Sequence, residues 1–371
     1  MMSARFLTVV LERAFNMRDG FGREIDYMRI SVIDSCNLNC YYCNPCDNNE
    51  HCHALNILSV KEVLCIVRAA TRLGIKHFRL TGGEPLLHPQ LDEMVLQIKK
   101  IPGVSSVSLT TNAVLLAQQA KWLKEAGIDS INVSLDTIDA SEYERITKKP
   151  LLEEVKHGIN AAIECGIRVK INVVLTPQTD VVALTRYVAK KGTDIRFIEM
   201  MPVGEGHTNG VEPYKKVIGT LSKLYGEPCR INTEKTKEIN SGNDKRKIPD
   251  NGPAEYYIFP ELGIRVGLIQ AIHGKFCDTC NRIRVTADGR LMPCLGSSVT
   301  MDLVPDSWDF ADDVEKDFAI VRALRAAIKA KPRCHNFNDN AVTYTKTTET
   351  KTTEIEAAEV NAARNMSRIG G

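Results

Sequence analysis

The run CNLNCYYC, residues 36–43, sets a problem of valence. Cys36, Cys40 and Cys43 are too many for one disulfide and one short of a closed zinc site, which takes four ligands. Thiolates are soft donors that select zinc, copper(I) or iron–sulfur clusters. A 4Fe-4S cube normally takes four of them, so three would leave one iron open. A second group, Cys277, Cys280 and Cys294, again counts three. Spacing favours an incomplete cube at the first group, against a zinc site completed by Cys46, Cys52, His51 or His53. At the second group a structural zinc closed by His273 or Cys334 stays open. Cys65, Cys165 and Cys229, like Cys334, read as small buried hydrophobes.

These cysteines must be positioned by the elements around them. β-Branched runs alternate with helical patterns from residue 28 to about 200: MRISVID (28–34), HFRLTGG (77–83), VSLTTN (107–112), SINVSLD (130–136), RVKINVVL (168–175) and DIRFIEMM (194–201). Ser59 and Glu62 have the spacing of a capping box. Gly74, Gly127 and Gly166 each close a helix before an apolar residue, the signal of an αβ loop. Such a rhythm predicts an α/β protein with a parallel sheet, doubly wound or curled into a partial six-unit TIM-type barrel. In both, sites form at the C-terminal strand ends. The first cysteine loop, TGGEP, TTNA and Asp136 all fall there. Six units are two short of a closed barrel, leaving a side for a large substrate or a covering domain.

After PVGEGHTNG (202–210) the rhythm breaks. A helix near 214–225 precedes the charged stretch EKTKEINSGNDKRK, which marks a boundary between residues 1–235 and 236–371. The second part reads as α+β, with short strands, a turn at ADGR (287–290) and a long helix near 312–330. A Thr-rich linker (343–354) leads to the final Gly370 and Gly371.

Length and composition narrow the classes. A chain of 371 residues has room for two domains, and 25% charged residues with a net charge of +2 is no polycation for coating nucleic acid. No apolar window reaches membrane-spanning length, so no membrane partner and a cytoplasmic location are expected. Twelve cysteines in a reducing compartment point to metal or redox chemistry. Arg29, Arg79, Lys170 and Arg196 lie inside strand-like runs, and Arg282 and Arg284 beside the second triad. Parallel strands are covered on both faces, so cations there are poorly explained as solvated surface; facing inward they would line the barrel mouth.

CNLNCYYC followed by TGGEP at the next strand end resembles the radical S-adenosylmethionine enzymes. FIEMMPVG (197–204), GPAEYY (252–257), FCDTCNRIRVTADGRLMPCL (276–295) and the terminal glycine pair extend the resemblance to the GTP 3′,8-cyclase family of molybdenum-cofactor biosynthesis. That resemblance implies a partial (β/α)6 barrel and a C-terminal α+β domain, with two 4Fe-4S clusters and S-adenosyl-L-methionine as cofactors. Cys36, Cys40 and Cys43 would hold the first cluster, and the cofactor's amino and carboxylate groups its open iron. Tyr42, Gly82, Gly83, Glu84, Pro85, Ser134 and Met201 would bind S-adenosylmethionine. Cys277, Cys280 and Cys294 would hold the second cluster, against which the guanine base of GTP binds. Arg29, Arg79, Thr110, Lys170, Arg196, Arg282, Ile283 and Arg284 would contact GTP, and guanidinium forks suit phosphate oxygens.

The implied lyase reaction starts with a 5′-deoxyadenosyl radical taking hydrogen from C3′ of GTP. The C3′ radical attacks C8, and reduction gives (8S)-3′,8-cyclo-7,8-dihydroguanosine 5′-triphosphate. Arg29, Gly370 and Gly371 carry catalytic roles by the same resemblance. The family also implies an electron donor such as flavodoxin or ferredoxin, a downstream molybdopterin-precursor enzyme and a homodimer. Ser35 and Asn39 stand where arginines are usual, His77 where a lysine is frequent, and Ala113 where glycine is usual. The loss of cations at Ser35, Asn39 and His77 would weaken GTP contacts or mark a relative acting on a peptide or another small molecule. A non-catalytic zinc-stabilised binding protein is the reading from another class.

Overall fold

The structure is a computed structural model describing residues 17–43, 56–203, 210–231, 252–297, 299–303, 313–335 and 337. The proposed boundary stretch, the extra Cys46, His51, Cys52 and His53, the Thr-rich linker and the glycine pair lie outside these residues.

Six β-strands appear where the β-branched runs predict them: β1 (Tyr27–Ser31), β2 (His77–Thr81), β3 (Ser106–Thr111), β4 (Ser130–Ser134), β5 (Arg168–Val174) and β6 (Asp194–Ile198). Each stops short of its predicted end, because the last residues of each run leave the ladder to build the rim. The covering helices are α1 (Val60–Arg72), α2 (Leu91–Lys99), α3 (Leu116–Glu125), α4 (Ala140–Thr147), α5 (Leu152–Glu164) and α6 (Val181–Lys190). Helix α1 opens with the expected capping box: Glu62 N–H donates to Ser59 Oγ at 3.3 Å, and Ser59 N–H to Glu62 Oε2 at 2.7 Å. Gly74, Gly127 and Gly166 adopt φ of 87°, 91° and 69° past three helix ends, the left-handed geometry that glycine takes without strain.

The later chain extends the same sheet at both edges. After a π-helical turn (Tyr214–Ile218) and α7 (Gly219–Tyr225) come β7 (Cys229–Arg230), β8 (Glu255–Ile258), β9 (Arg265–Ile269), β10 (Arg282–Val285), β11 (Arg290–Met292) and β12 (Met301–Asp302). The sheet order is β12-β11-β10-β1-β2-β3-β4-β5-β6-β9-β8-β7. Strand β9 pairs parallel with β6, and β10 parallel with β1. The run from β10 to β9 is therefore all parallel, flanked by antiparallel β11–β12 and β8–β7. The sides left open by a six-unit barrel are filled by the chain's own second half. Helix α8 (Asp313–Lys329) packs on α1, with Arg72 paired to Asp317 at 2.8 Å.

Parallel strands covered on both faces need apolar side chains on the helix side. Met28, Phe78, Leu80, Leu109, Ile131, Val133, Ile195 and Phe197 are fully buried there. The opposite face of the strands carries the polar set.

Candidate active site

One cavity of about 330 Å³ opens at the C-terminal strand ends, and all six cysteines of the two triads line it. The first triad's loop is held by the two glycines of TGGEP. Gly83 N–H donates to Ile33 O at 2.8 Å and Glu84 N–H to Ser35 O at 2.7 Å. A Cβ on Gly82 would lie 2.5 Å from Ile33 O, and one on Gly83 only 2.1 Å from Ser35 O. The glycines let the cysteine loop lie directly on the strand end. Asn39 and Tyr41 N–H groups bond to Thr147 O and Ile146 O, fastening the loop's far side to α4.

Two buried carboxylates complete this cradle. Glu84 accepts from Leu86 N–H (2.9 Å), Thr111 Oγ1–H (2.7 Å) and Asn112 N–H (2.7 Å), tying the ends of β2 and β3 together. Burial pushes its carboxyl up to about 7 against those three bonds. Asp136 accepts from Tyr42 Oη–H (2.5 Å) and Val174 N–H (2.7 Å), and burial raises it to about 6. Tyr42, between two of the thiols, is thereby locked to the end of β4. Asn112 Nδ2 donates to Asn37 Oδ1 at 2.7 Å and lies 3.8 Å from Cys36 Sγ.

Burial, with the Glu84 carboxylate beside it, pushes the Cys36 thiol up to about 12; burial likewise pushes Cys43 up to about 12. Cys40 is raised well above its usual range by burial and by nearby Cys43 and Asp136. Three thiols in a dry, acidic pocket ionise only against strong positive charge, which bound iron supplies. Among the described residues, no three His, Cys, Asp or Glu side chains converge on a single ion-sized point. All three thiols line the cavity wall.

The second triad sits in a different field. Cys277 and Cys280 flank a 3₁₀ turn and Cys294 follows β11. Burial alone would raise the Cys280 thiol, but Lys331 and Arg282 outweigh it and hold it below the usual value. Burial raises Cys294, with Lys331 acting against it. Lys331 donates to Arg282 O (2.8 Å) and Pro293 O (2.9 Å). Arg23 donates to Cys277 O (2.7 Å), Arg333 O (2.9 Å) and Pro332 O (2.6 Å) while paired with Asp19 at 2.5 Å. His335 and Phe337 stack with ring centroids 4.2 Å apart on the cavity wall beside Gly296, where a Cβ would strike both side chains.

The guanidinium set lines the same cavity. Register places Arg284, Arg29 and Arg79 side by side on β10, β1 and β2. Burial and neighbouring Arg282 lower Arg284 to about 10; burial, Arg284 and Arg79 lower Arg29 well below its ordinary value. Crowding like charges in a dry cavity costs free energy that an anion recovers. Arg79 Nη1 donates to Thr110 Oγ1 at 3.3 Å, its Nε to Tyr27 Oη, and Arg196 Nε to Asn172 Oδ1 at 3.0 Å. Burial opposes ionisation of Tyr27, yet Arg79 and Arg29 bring its phenol below the usual value.

The cavity brings together most of the residues expected from sequence. Beside the thiols it is lined by Tyr42, Gly82, Gly83, Glu84, Ser134 and Met201, and on the cationic side by Arg29, Arg79, Thr110, Arg196, Arg282 and Arg284. Three stand outside its wall. Pro85 opens a buried 3₁₀ turn, Ile283 packs into the core on the other face of β10, and Lys170 is buried on β5 between Asn132 and Asp194. Gly370 and Gly371 lie outside the described residues.

His77 Nδ1 is bonded to Ser106 Oγ at 2.8 Å, and its ring stacks on Tyr27. Ala113 takes φ of 65°, the left-handed region that explains why glycine is usual there. Sequence reasoning missed Arg23, Asn132, Lys331, His335 and Phe337 as site residues.

Comparisons with known proteins fit this geometry. Residues 30–183 match the Radical SAM superfamily model, and residues 193–337 the Molybdenum Cofactor Synthesis C model. The structure resembles Streptococcus suis SuiB bound to its precursor peptide SuiA (TM-score 0.53, 14% identity, 87% of this chain and 69% of that one). SuiB bound to S-adenosylmethionine aligns with TM-score 0.50 and 16% identity, over 81% of this chain and 65% of that one. At such identity these likenesses speak for the fold alone. The chain is thus a radical S-adenosylmethionine protein with a partial barrel and an added C-terminal unit. It is 35% identical over 324 residues to the GTP 3′,8-cyclase of Clostridium perfringens strain SM101, covering 86% of this chain and 95% of that one. With the enzyme of Pelotomaculum thermopropionicum it shares 36% identity over 327 residues, covering 86% and 95%. The chain belongs to the GTP 3′,8-cyclase family.

Proposed function

We propose that this chain converts GTP to 3′,8-cyclo-7,8-dihydro-GTP in molybdenum-cofactor biosynthesis, and that the reaction is a lyase reaction. One observation carries the reading: two cysteine triads and five arginines line a single cavity. The donor sets fit two 4Fe-4S clusters, Cys36, Cys40 and Cys43 for the first, Cys277, Cys280 and Cys294 for the second. Bound there, the first cluster with S-adenosylmethionine would supply the radical chemistry for hydrogen removal at C3′ and bond formation to C8.

The protein's own groups bind and shield. Tyr42, Gly82, Gly83, Glu84, Ser134 and Met201 form the S-adenosylmethionine side, where the Glu84 and Asp136 bonds keep the wall rigid. Arg29, Arg79, Thr110, Arg196, Arg282 and Arg284 take the triphosphate, whose charge relieves their mutual repulsion. Pro85, Ile283 and Lys170 belong to this reading through packing behind the wall. Gly370 and Gly371, as a catalytic tail, remain part of the proposal, as do the division at residue 235, a homodimer and a cytoplasmic location. A flavodoxin- or ferredoxin-type donor would supply electrons, and a molybdopterin-precursor enzyme would take the product. Among the described residues no helix is long and apolar enough to cross a membrane.

The test is anaerobic incubation with S-adenosylmethionine, a reductant and GTP. The expected result is 5′-deoxyadenosine release that depends on GTP, with a cyclised triphosphate. Release indifferent to GTP would point to a relative acting on another substrate, and protein holding only zinc would sink the enzyme reading.

A further inference from the structure

The cavity wall is rich in hydrogen-bond donors, and its acceptors are nearly all engaged. Glu84 and Asp136 hold the partners given above, Asn172 Oδ1 accepts from Arg196, and Glu199 accepts from the Ile272 and His273 N–H groups. Among the described residues of the wall, Asn132 carries a buried side-chain acceptor without a partner. It lies on β4 in the cavity wall, is 5% exposed, and its Oδ1 is buried with no hydrogen-bond partner. A buried amide oxygen left in this state costs free energy until something donates to it. A triphosphate only accepts, so it satisfies the arginines and leaves Asn132 wanting.

Location narrows the donor. Asn132 and Ser134 are two apart on one strand and so share a face. Across the sheet Asn132 is in register with Thr110 on β3, and Thr110 is bonded to Arg79. On the reading above, Ser134 belongs to the S-adenosylmethionine side and Thr110 with Arg79 to the triphosphate side. What lies between is the sugar of the nucleotide. A ribose hydroxyl both donates and accepts, so it can pair with an amide in either of its two orientations.

Resting on that reading, we propose that Asn132 recognises the ribose of the substrate, its side-chain amide pairing with the 2′-hydroxyl of the nucleoside triphosphate. The bond holds the sugar at the carbon next to C3′ and makes the site select ribonucleotides over deoxyribonucleotides. A site built around a hydroxyl rejects the analogue that lacks it, because its buried polar group is then left unpaired.

The experiment is a cycle of equilibrium binding on protein with both clusters reconstituted, using GTP and 2′-deoxy-GTP, on the unaltered chain and on Asn132→Ala. The unaltered protein is expected to prefer GTP by on the order of tenfold. Asn132→Ala is expected to bind the two alike, near the 2′-deoxy-GTP level, with S-adenosylmethionine affinity unchanged. Non-additivity in that cycle isolates the contact. An undiminished preference in Asn132→Ala, or none in the unaltered protein, overturns the proposal. So does a loss confined to S-adenosylmethionine, which would assign the amide to that molecule's own ribose. If Asn132→Ala fails to take up iron, Asn132→Ser is read by the same comparison. An unaltered protein that binds neither nucleotide fails the GTP reading itself, a different result from binding both equally.

Discussion

Replacing Gly83 by alanine should detach the first cluster and leave the second in place. The new Cβ would lie 2.1 Å from Ser35 O and 2.4 Å from Ser35 C, both backbone atoms that no rotamer change can move. Restoring an ordinary contact of 3.4 Å displaces the Ser35 carbonyl by about 1.3 Å. It also strains the Glu84 N–H to Ser35 O bond, now 2.7 Å. Ser35 immediately precedes Cys36, so the displacement passes straight to a proposed cluster ligand. Overpacking of this kind costs about 3 kcal/mol, and a misplacement near 1 Å lowers rate on the order of a hundredfold. Iron per chain after anaerobic reconstitution measures the effect: half the unaltered value is expected, with S-adenosylmethionine binding lost. Gly219→Ala is the control, since its Cβ would meet nothing within 4 Å in a helical backbone. Full iron and normal S-adenosylmethionine affinity in Gly83→Ala would refute the close-approach argument.

Arg23→Ala removes donors from three backbone carbonyls and a partner from buried Asp19, a loss of about 3–5 kcal/mol; denaturant unfolding should show it, with iron lost from the second cluster only. Glu84 is held near 7 in the folded chain against an ordinary 4.5, so the folded state keeps its proton longer than the unfolded one. Its contribution to stability is therefore greatest below pH 4.5 and declines as pH rises towards 7. Glu84→Gln should flatten that decline in thermal midpoints between pH 5 and 7, leaving the share due to Asp136; an unchanged slope would assign it elsewhere. Arg282→Ala should weaken GTP binding by about tenfold or more while iron content holds, and unchanged affinity would remove Arg282 from the nucleotide site.

Much of this architecture was legible in the sequence because it rests on local signals. The β-branched runs, the Ser59–Glu62 box and the glycines at 74, 127 and 166 each report on a few neighbouring residues, and each appears where expected. The cysteine spacing and TGGEP were likewise readable, and the glycines proved to hold the cysteine loop by close approach. What was not legible depends on distant chain segments. The second half read as an α+β unit, and residues 193–337 match a family model of their own; that β9 and β10 continue the first half's sheet at opposite edges was not visible in the sequence. Arg23 carries no motif; its role exists only because residues 277 and 332–333 come to it. Asn132 looked like an ordinary strand residue, since an unpaired buried oxygen is visible only once its neighbours are in place.

The pairing of β1 with β10 also governs the order in which the molecule can be made. Asp26 accepts from Asn281 Nδ2 at 2.7 Å across a sequence separation of 255 residues. During synthesis the first strand is among the earliest to emerge and its neighbour on one side among the last. Throughout that interval a strand with an apolar face and an unsatisfied row of amides waits at the edge of an incomplete sheet. Contacts of such long range make for slow folding. The segment that ends the wait, residues 270–281 between β9 and β10, carries Cys277 and Cys280. Closing the sheet at β10 therefore also delivers Cys277 and Cys280, two of the proposed ligands of the second cluster, to the cavity wall.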